Sequence, residues 1–274
     1  MAVIMKGKPV ADAIYEELQP MKSLNLTLGV IKYKDSDAGG YLSGLSKAAE
    51  RLNVKLHISE VEQFTQLTEK VIALGDDPQI HGILLLKPFP KEWNFRQASD
   101  LIPPHKDVDA LHPVNLGLLA QGRGKLVPAT PQAVLSILDF YNVLPLEGAN
   151  ALVIGRSEAV GLPMFLCLMQ RNATVTVAHS RTRDLPSLSS QADLVVVAVG
   201  KPNFLTSDHV KQGAVIVDVG TNVLEDGNKV VGDVHREQVE PLVSAITPVP
   251  GGVGSVTTAC LFKNLFLCYQ EQVR

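Results

Sequence analysis

A chain of 274 residues with a formal net charge of -3, 46% hydrophobic and 19% charged residues, has room for two domains of ordinary size or one large α/β domain. It lacks the basic excess that a nucleic-acid surface needs, and its longest apolar runs have strand length, too short to span a membrane. Cys167, Cys260 and Cys268 show no pairing pattern, the seven histidines make no metal-ligand spacing, and the N-terminus lacks the features of a signal peptide, which together fit a metal-free protein of the reducing cytoplasm.

Read in chain order, strand-like apolar runs alternate with helical patterns. "LTLGVIKY" is followed by a helix over 41–53, then by "VKLHISEV", a helix over 64–75 and "IHGILLLKP". This alternation predicts β-α-β units around a largely parallel, buried sheet. In the first helix Tyr41 and Leu45 are four residues apart and share a face, whereas Lys47 points away. Taken alone, that pair is a core-facing stripe. Next comes the Pro-, Gly- and His-rich "LIPPHKDVDALHPVNLGLLAQGRGKLVPATP", too irregular for one element and of the kind that often carries function. Asp109 within it, read by itself, is a loop acid that caps neighbouring backbone N–H groups. A helix with Thr130 as N-cap and Pro131 as its first residue then runs through "QAVLSILDFYNV".

The alternation restarts with "ANALVIGRS", a helix from about Gly161, "NATVTVAHS", "ADLVVVAVG" and "GAVIVDVG". It ends in a short strand, a glycine-rich loop and a terminal helix within "AITPVPGGVGSVTTACLFKNLFLCYQEQ". "ALVIGRSEAVGLP" sets a buried strand before a turn and a helix, where a dinucleotide-binding fold places its pyrophosphate loop. Gly155 and Gly161 are present, and Ser157 stands in the middle glycine's place. Where an NAD-binding fold presents an acid to the ribose, roughly twenty residues on, the chain offers His179, Ser180, Arg181, Thr182 and Arg183, with no acid before Asp184. Arginine and hydroxyl donors hold a 2′-phosphate that an acid repels, so with Arg156 in the turn the pattern favours NADP over NAD.

Several stretches together resemble the methylenetetrahydrofolate dehydrogenase/methenyltetrahydrofolate cyclohydrolase family of one-carbon metabolism. They are "KDVDALHPVNLG" (106–117), "PATPQAV" (128–134), "VIGRSEAVGLPM" (153–164), "VTVAHSRT" (175–182), "DLVVVAVGKP" (193–202), "VIVDVGTN" (215–222), "VGDV" (231–234) and "ITPVPGGVGSVT" (246–257). The resemblance implies two α/β domains flanking a cleft: residues 1–122 with 255–274 as the folate-binding catalytic domain, and residues 123–254 as a Rossmann-type NADP-binding domain. It also implies a homodimer. By the same resemblance Tyr41 and Asp109 form the catalytic pair, the ring of Tyr41 stacking beside the folate and the carboxylate of Asp109 holding the pterin. Gly251, Gly252 and Val253 line the folate side of the cleft, and Gly155, Arg156, Ser157, Gly161, His179, Ser180, Arg181 and Thr221 serve the cofactor. A pterin presents adjacent N–H donors on an amidine-like edge, which one carboxylate accepts as a pair.

The departures from the family pattern bear on the chemistry. Where the family has a lysine four residues after the tyrosine, this chain has Leu45; where "VQLPLP" has the glutamine that bonds this lysine, it has Leu86. A serine three before the tyrosine is Ala38, the cysteine of "PCTP" is Ala129, and the proline after "GGVG" is Ser255. Oxidising 5,10-methylenetetrahydrofolate by hydride transfer asks mainly for alignment, worth about 7–11 kcal/mol. Hydrolysing the methenyl product asks for moving protons, which positioned acid–base groups accelerate by about 10²–10⁴-fold. A leucine cannot move protons. The expectation is an NADP-dependent dehydrogenase with weak or absent cyclohydrolase activity, with Lys87 as the nearby amine on the opposite side of the strand from Leu86. A bifunctional enzyme that moves protons with another group, and a non-catalytic folate- and NADP-binding protein, are the alternatives.

Overall fold

The structure, a computed structural model, describes residues 1–36, 39–224 and 230–273. In chain order its elements are β1 (Val3–Ile4), α1 (Gly7–Glu17), β2 (Thr27–Tyr33), α2 (Gly39–Arg51), β3 (Lys55–Val61), α3 (Phe64–Asp76), β4 (Gly82–Leu86), α4 (Phe95–Ser99), α5 (Pro113–Ala120) and α6 (Ala129–Tyr141). They continue with β5 (Asn150–Ile154), α7 (Gly161–Gln170), β6 (Thr174–Ala178), α8 (Leu185–Ser189), β7 (Leu194–Val197), β8 (Val215–Asp218), β9 (Asn222–Val223), β10 (Val230–Val231), α9 (Arg236–Val239), β11 (Ala245–Ile246) and α10 (Gly254–Gln272). The chain divides into two compact units, residues 13–129 with 258–274 and residues 1–12 with 130–257.

The first unit holds a three-stranded parallel sheet in the order β3-β2-β4. All five residues of β4 are buried, which is why its sequence is continuously apolar and not alternating. Gly82 opens this strand because there is no room for a side chain: a Cβ there would lie 2.4 Å from Val108 Cγ1 and 2.7 Å from Leu265 Cδ1. Ile83 and Leu85 join Ile31, Val71 and Leu74 in one core, against which Phe89, Trp93 and Phe95 pack. The strand period of two therefore turns Leu84 and Leu86 to the other face. A parallel bridge between Ile83 and Asp107 carries the segment leading to Asp109 alongside β4.

The second unit is a six-stranded parallel sheet in the order β1-β11-β8-β7-β5-β6. The chain leaves β5 for β6 on one side and returns to β7 on the other, and in doubly wound sheets the crevice beyond such a reversal is where ligands bind. Leu152, Ile154, Val195, Val197, Ile216 and Ile246 fill the core on one face.

The strands and helices read from the sequence are present, with three differences. Residues 1–12, grouped from the sequence with the first lobe, belong to the second unit, because Val3 and Ile4 pair with Ala245 and Ile246; a two-residue strand has no readable periodicity. The units change over at 129/130 and 257/258, where the sequence reading placed 122/123 and 254/255. The irregular stretch contains α5, whose N-cap His112 accepts the Val114 amide at 3.1 Å, and α6 starts at Ala129, one residue before the expected cap Thr130. Ala38 lies outside the described residues. Among the described residues no helix is long and apolar enough to cross a membrane.

Candidate active site

α2 carries Tyr41 and, one turn later, Leu45. Tyr41 is 41% exposed and Leu45 is fully buried, so their common face runs from the surface into the core, while Lys47 is exposed. The Tyr41 hydroxyl hydrogen-bonds with the Thr258 side chain, and burial together with the Asp109 carboxylate raises its pKa above the ordinary tyrosine value. The Asp109 carboxyl is itself pushed up to about 7, first by burial and then by the charge of Asp107, while Lys87 pulls it down. The backbone-capping role that a loop acid would have falls to Asp107, which accepts the His112 amide at 2.8 Å and Asn115 Nδ2 at 3.0 Å. Lys87 Nζ stands 4.0 Å from the centroid of the Phe95 ring, on the side of the sheet opposite Leu86. Leu86 is buried. Tyr41, Thr258, Asp109 and Lys87 thus form one electrostatic group in the first unit.

In the second unit Gly155 directly follows β5 with φ +125°, and a Cβ there would lie 2.4 Å from the Ala198 carbonyl oxygen. Gly161 opens α7 so close to this turn that its Cβ would meet the Gly155 oxygen at 2.2 Å. Only glycine at both ends allows the turn to close this tightly. Ser157 Oγ lies 3.4 Å from the Gly161 amide that it accepts, and the flanking Arg156 is exposed. After β6 the chain makes a second tight turn, in which Thr182 Oγ1 accepts the His179 amide at 2.8 Å and His179 Nδ1 accepts the Arg181 amide at 3.1 Å. One ring nitrogen of His179 is therefore occupied by the backbone, and the turn presents Ser180 and Arg181 exposed at its tip. Asp184 is directed elsewhere: it is the N-cap of α8 and accepts the Ser187 amide at 3.3 Å.

A cavity of about 200 Å³ in the same unit is lined by Asp218, Gly220 and Thr221 together with residues 248–255. This brings Thr221 together with Gly251, Gly252 and Val253. The loop is tightly wound, with Gly251 at φ +93° and Gly252 so near the Pro248 carbonyl that a Cβ would lie 2.3 Å from its oxygen. Residues 128–273 match the family model of the tetrahydrofolate dehydrogenase/cyclohydrolase NAD(P)-binding domain, and residues 5–109 match that of the catalytic domain. The chain belongs to the tetrahydrofolate dehydrogenase/cyclohydrolase family.

Within this family it is 87% identical, over 274 residues and the full length of both chains, to the bifunctional protein FolD of Coprothermobacter proteolyticus. Among solved structures it is similar to the bifunctional FolD methylenetetrahydrofolate dehydrogenase/cyclohydrolase of Campylobacter jejuni, with 37% identity, a TM-score of 0.94 and 99% and 100% of the two chains covered. It is also similar to the Trypanosoma brucei dehydrogenase-cyclohydrolase complexed with NADP and an inhibitor, with 33% identity, a TM-score of 0.93 and 100% and 99% covered. The bifunctional names of these relatives lend no support to a weak or absent cyclohydrolase, an expectation that rests on the departures from the family pattern, Leu45 and Leu86 first among them. Sequence reasoning also missed neighbours of the candidate residues in each unit. Thr258 gives no signal in a helix of similar small residues. Gly7, whose amide donates to the Gly251 oxygen at 2.8 Å, lies more than two hundred positions away from its partner.

Proposed function

We propose that this member of the family oxidises 5,10-methylenetetrahydrofolate to 5,10-methenyltetrahydrofolate with NADP. The observation that carries the reading is the Tyr41–Asp109 group, an exposed aromatic ring with a carboxylate in electrostatic reach of its hydroxyl. Ionised, Asp109 accepts two N–H groups of the pterin edge, and the Tyr41 ring packs on the flat face of the pterin. The nitrogens beside the reacting carbon stabilise the cation as hydride leaves, so the protein needs to align the carbon and not to supply a base.

The second unit fits NADP on its own geometry. The side-chain-free turn from Gly155 to Gly161, with Arg156 and Ser157, would hold the pyrophosphate at the start of α7. Exposed Ser180 and Arg181 would hold a 2′-phosphate, with Asp184 committed to α8, and Thr221 with Gly251, Gly252 and Val253 would line the reactive end. Bound NADP supplies the hydride acceptor. Homodimer assembly, implied by the resemblance, belongs to the same proposal and is checked by light scattering.

The test is reduction of NADP by the purified protein supplied with methylenetetrahydrofolate, compared with NAD at equal concentration. Asp109→Ala should lower kcat/KM for the folate by roughly 10- to 100-fold, the effect of losing a charged hydrogen-bonded pair. Wild-type activity in that variant, or binding of folate without turnover by the native chain, rejects the reading.

The names of the relatives favour a second reading in which cyclohydrolase activity is also present. Leu45 and Leu86 supply no proton donor, so this reading needs another group, and Lys87 is the amine whose charge reaches Asp109. Decay of the ultraviolet band of methenyltetrahydrofolate decides between them. Enzyme-accelerated decay that Lys87→Ala abolishes establishes the bifunctional reading with that lysine, and decay at the buffer rate establishes the dehydrogenase alone. In the second case Leu45→Lys with Leu86→Gln should restore part of the hydrolysis, because it returns a hydrogen-bonded amine to the position.

A further inference from the structure

Three of the family stretches, "DLVVVAVGKP", "VIVDVGTN" and "VGDV", contribute only Thr221 to the roles assigned above, yet two buried carboxylates tie them together. Asp233, fully buried, accepts three successive backbone amides: Val199 at 2.7 Å and Gly200 at 3.0 Å on Oδ2, and Lys201 at 2.9 Å on Oδ1. Its Oδ1 also accepts Asn222 Nδ2 at 2.9 Å. Consecutive amides converging in this way form an anion-binding nest, and here the chain's own side chain fills it. Asp218, 3% exposed, accepts the amides of Gly220 at 2.9 Å, Asp233 at 3.0 Å and Val234 at 2.9 Å. Its own amide donates to Thr247 Oγ1 at 2.8 Å. The two acids also fix the glycines around them. A Cβ on Gly220 would lie 2.2 Å from Asp233 Oδ1, and one on Gly232 would lie 1.8 Å from Asp218 Oδ2.

Two like charges buried side by side are an expensive way to hold a sheet, since apolar residues of similar volume hold one at least as well. What the carboxylates give is direction. Each oxygen fixes particular amides, and the segments so fixed are the turn at 199–201 after β7 and the wall at 218–221 of the cavity that also contains Gly251, Gly252 and Val253. We propose that Asp233, backed by Asp218, is a positioning residue for the cofactor: it fixes the turn at 199–201 and the wall at 220–221 against which the nicotinamide end of NADP is held.

This inference rests on the proposed use of NADP, so binding is measured separately from turnover. Titration calorimetry with NADP and, in a second cell, with tetrahydrofolate is run on the wild-type protein, Asp233→Asn and Asn222→Ala. Asn222→Ala removes one of the four donors and leaves both acids in place. Asp233→Asn should raise the Kd for NADP by roughly tenfold to a hundredfold and Asn222→Ala by less, with the tetrahydrofolate Kd within about twofold of wild type in both. A purely structural bracket would lower the melting temperature and leave both Kd values unchanged in the folded fraction, which overturns the proposal, as does insolubility of both variants. A wild-type protein that binds NADP but does not oxidise the folate overturns the reaction and leaves the bracket standing. A wild-type protein that binds no NADP overturns both.

Discussion

Gly7 meets the loop at 251–252 with no room for a methyl group: its amide donates to the Gly251 oxygen, and a Cβ would lie 2.1 Å from the Gly252 oxygen. A backbone atom at that distance cannot rotate aside, so Gly7→Ala must move the loop. Because that loop lines the cavity with Thr221, the expected result is a loss of NADP-linked dehydrogenase activity of roughly tenfold to a hundredfold, with an unchanged circular dichroism spectrum. Unchanged kinetics would mean that the loop's position is unimportant to the reaction. Asp109 gives a second prediction. Its carboxyl protonates near 7, and only the ionised form accepts two pterin N–H groups, so KM for the folate should climb as pH falls below about 7. The same titration with Lys87→Met should move that acid limb upward, because the lysine charge favours the ionised form.

Among the elements, α3 ends in a way no local pattern announces. Lys106, 4% exposed, reaches back with Nζ to the carbonyls of Gly75 at 2.8 Å, Asp77 at 2.7 Å and Leu74 at 3.4 Å. A cation there satisfies the orphan carbonyls of a helix C-terminus and complements its dipole. Burial lowers its pKa while Asp77 and Asp76 oppose the shift. Lys106→Met should lower stability by about 1–3 kcal/mol per group left unsatisfied, read as a fall in the urea midpoint at constant slope. This example marks the boundary of what the sequence made legible. β2, β4, β5, β7 and β8 were readable because long apolar runs allow one interpretation, and the turn from Gly155 to Gly161 was readable because its glycines are local to it. β1, β9 and β10 have two residues each and exist only through their partners. The same holds in the site. Tyr41, Asp109 and the glycine loops are proposed from motifs, whereas Asp233 acts on amides 32 to 34 residues away, a closeness that only folding creates.

For the molecule as a whole, the buried acids set a conflict between stability and substrate binding. Burial raises Asp218 to about 6 and Asp109 to about 7 from the ordinary 3.8. A carboxyl whose pKa is higher folded than unfolded contributes stability that is fully present below the unfolded value and is lost as pH rises through the folded one. For Asp218 alone the interval corresponds to roughly 3 kcal/mol at 1.36 kcal/mol per pH unit. His81 works in the other direction, since burial and the Lys106 charge lower its pKa, and it withdraws stability as pH falls below the unfolded histidine value. Asp193, half-buried, and Glu60, exposed, are lowered by their lysine partners and act only around pH 4 and below, and weakly. Burial also raises Asp107 and lowers His105, so three raised acids act against two lowered histidines, and the acids, with their larger shifts, outweigh them between pH 5 and pH 7. The urea midpoint should therefore be higher near pH 5 than at pH 8, and Asp218→Asn should flatten the difference. A midpoint that rises from pH 5 to pH 8 would show these acids to be ordinary in the folded chain. In the role proposed for Asp109, folate binding calls for its ionised form and follows the opposite trend, so the pH that best preserves this fold would be one at which the substrate is held least tightly.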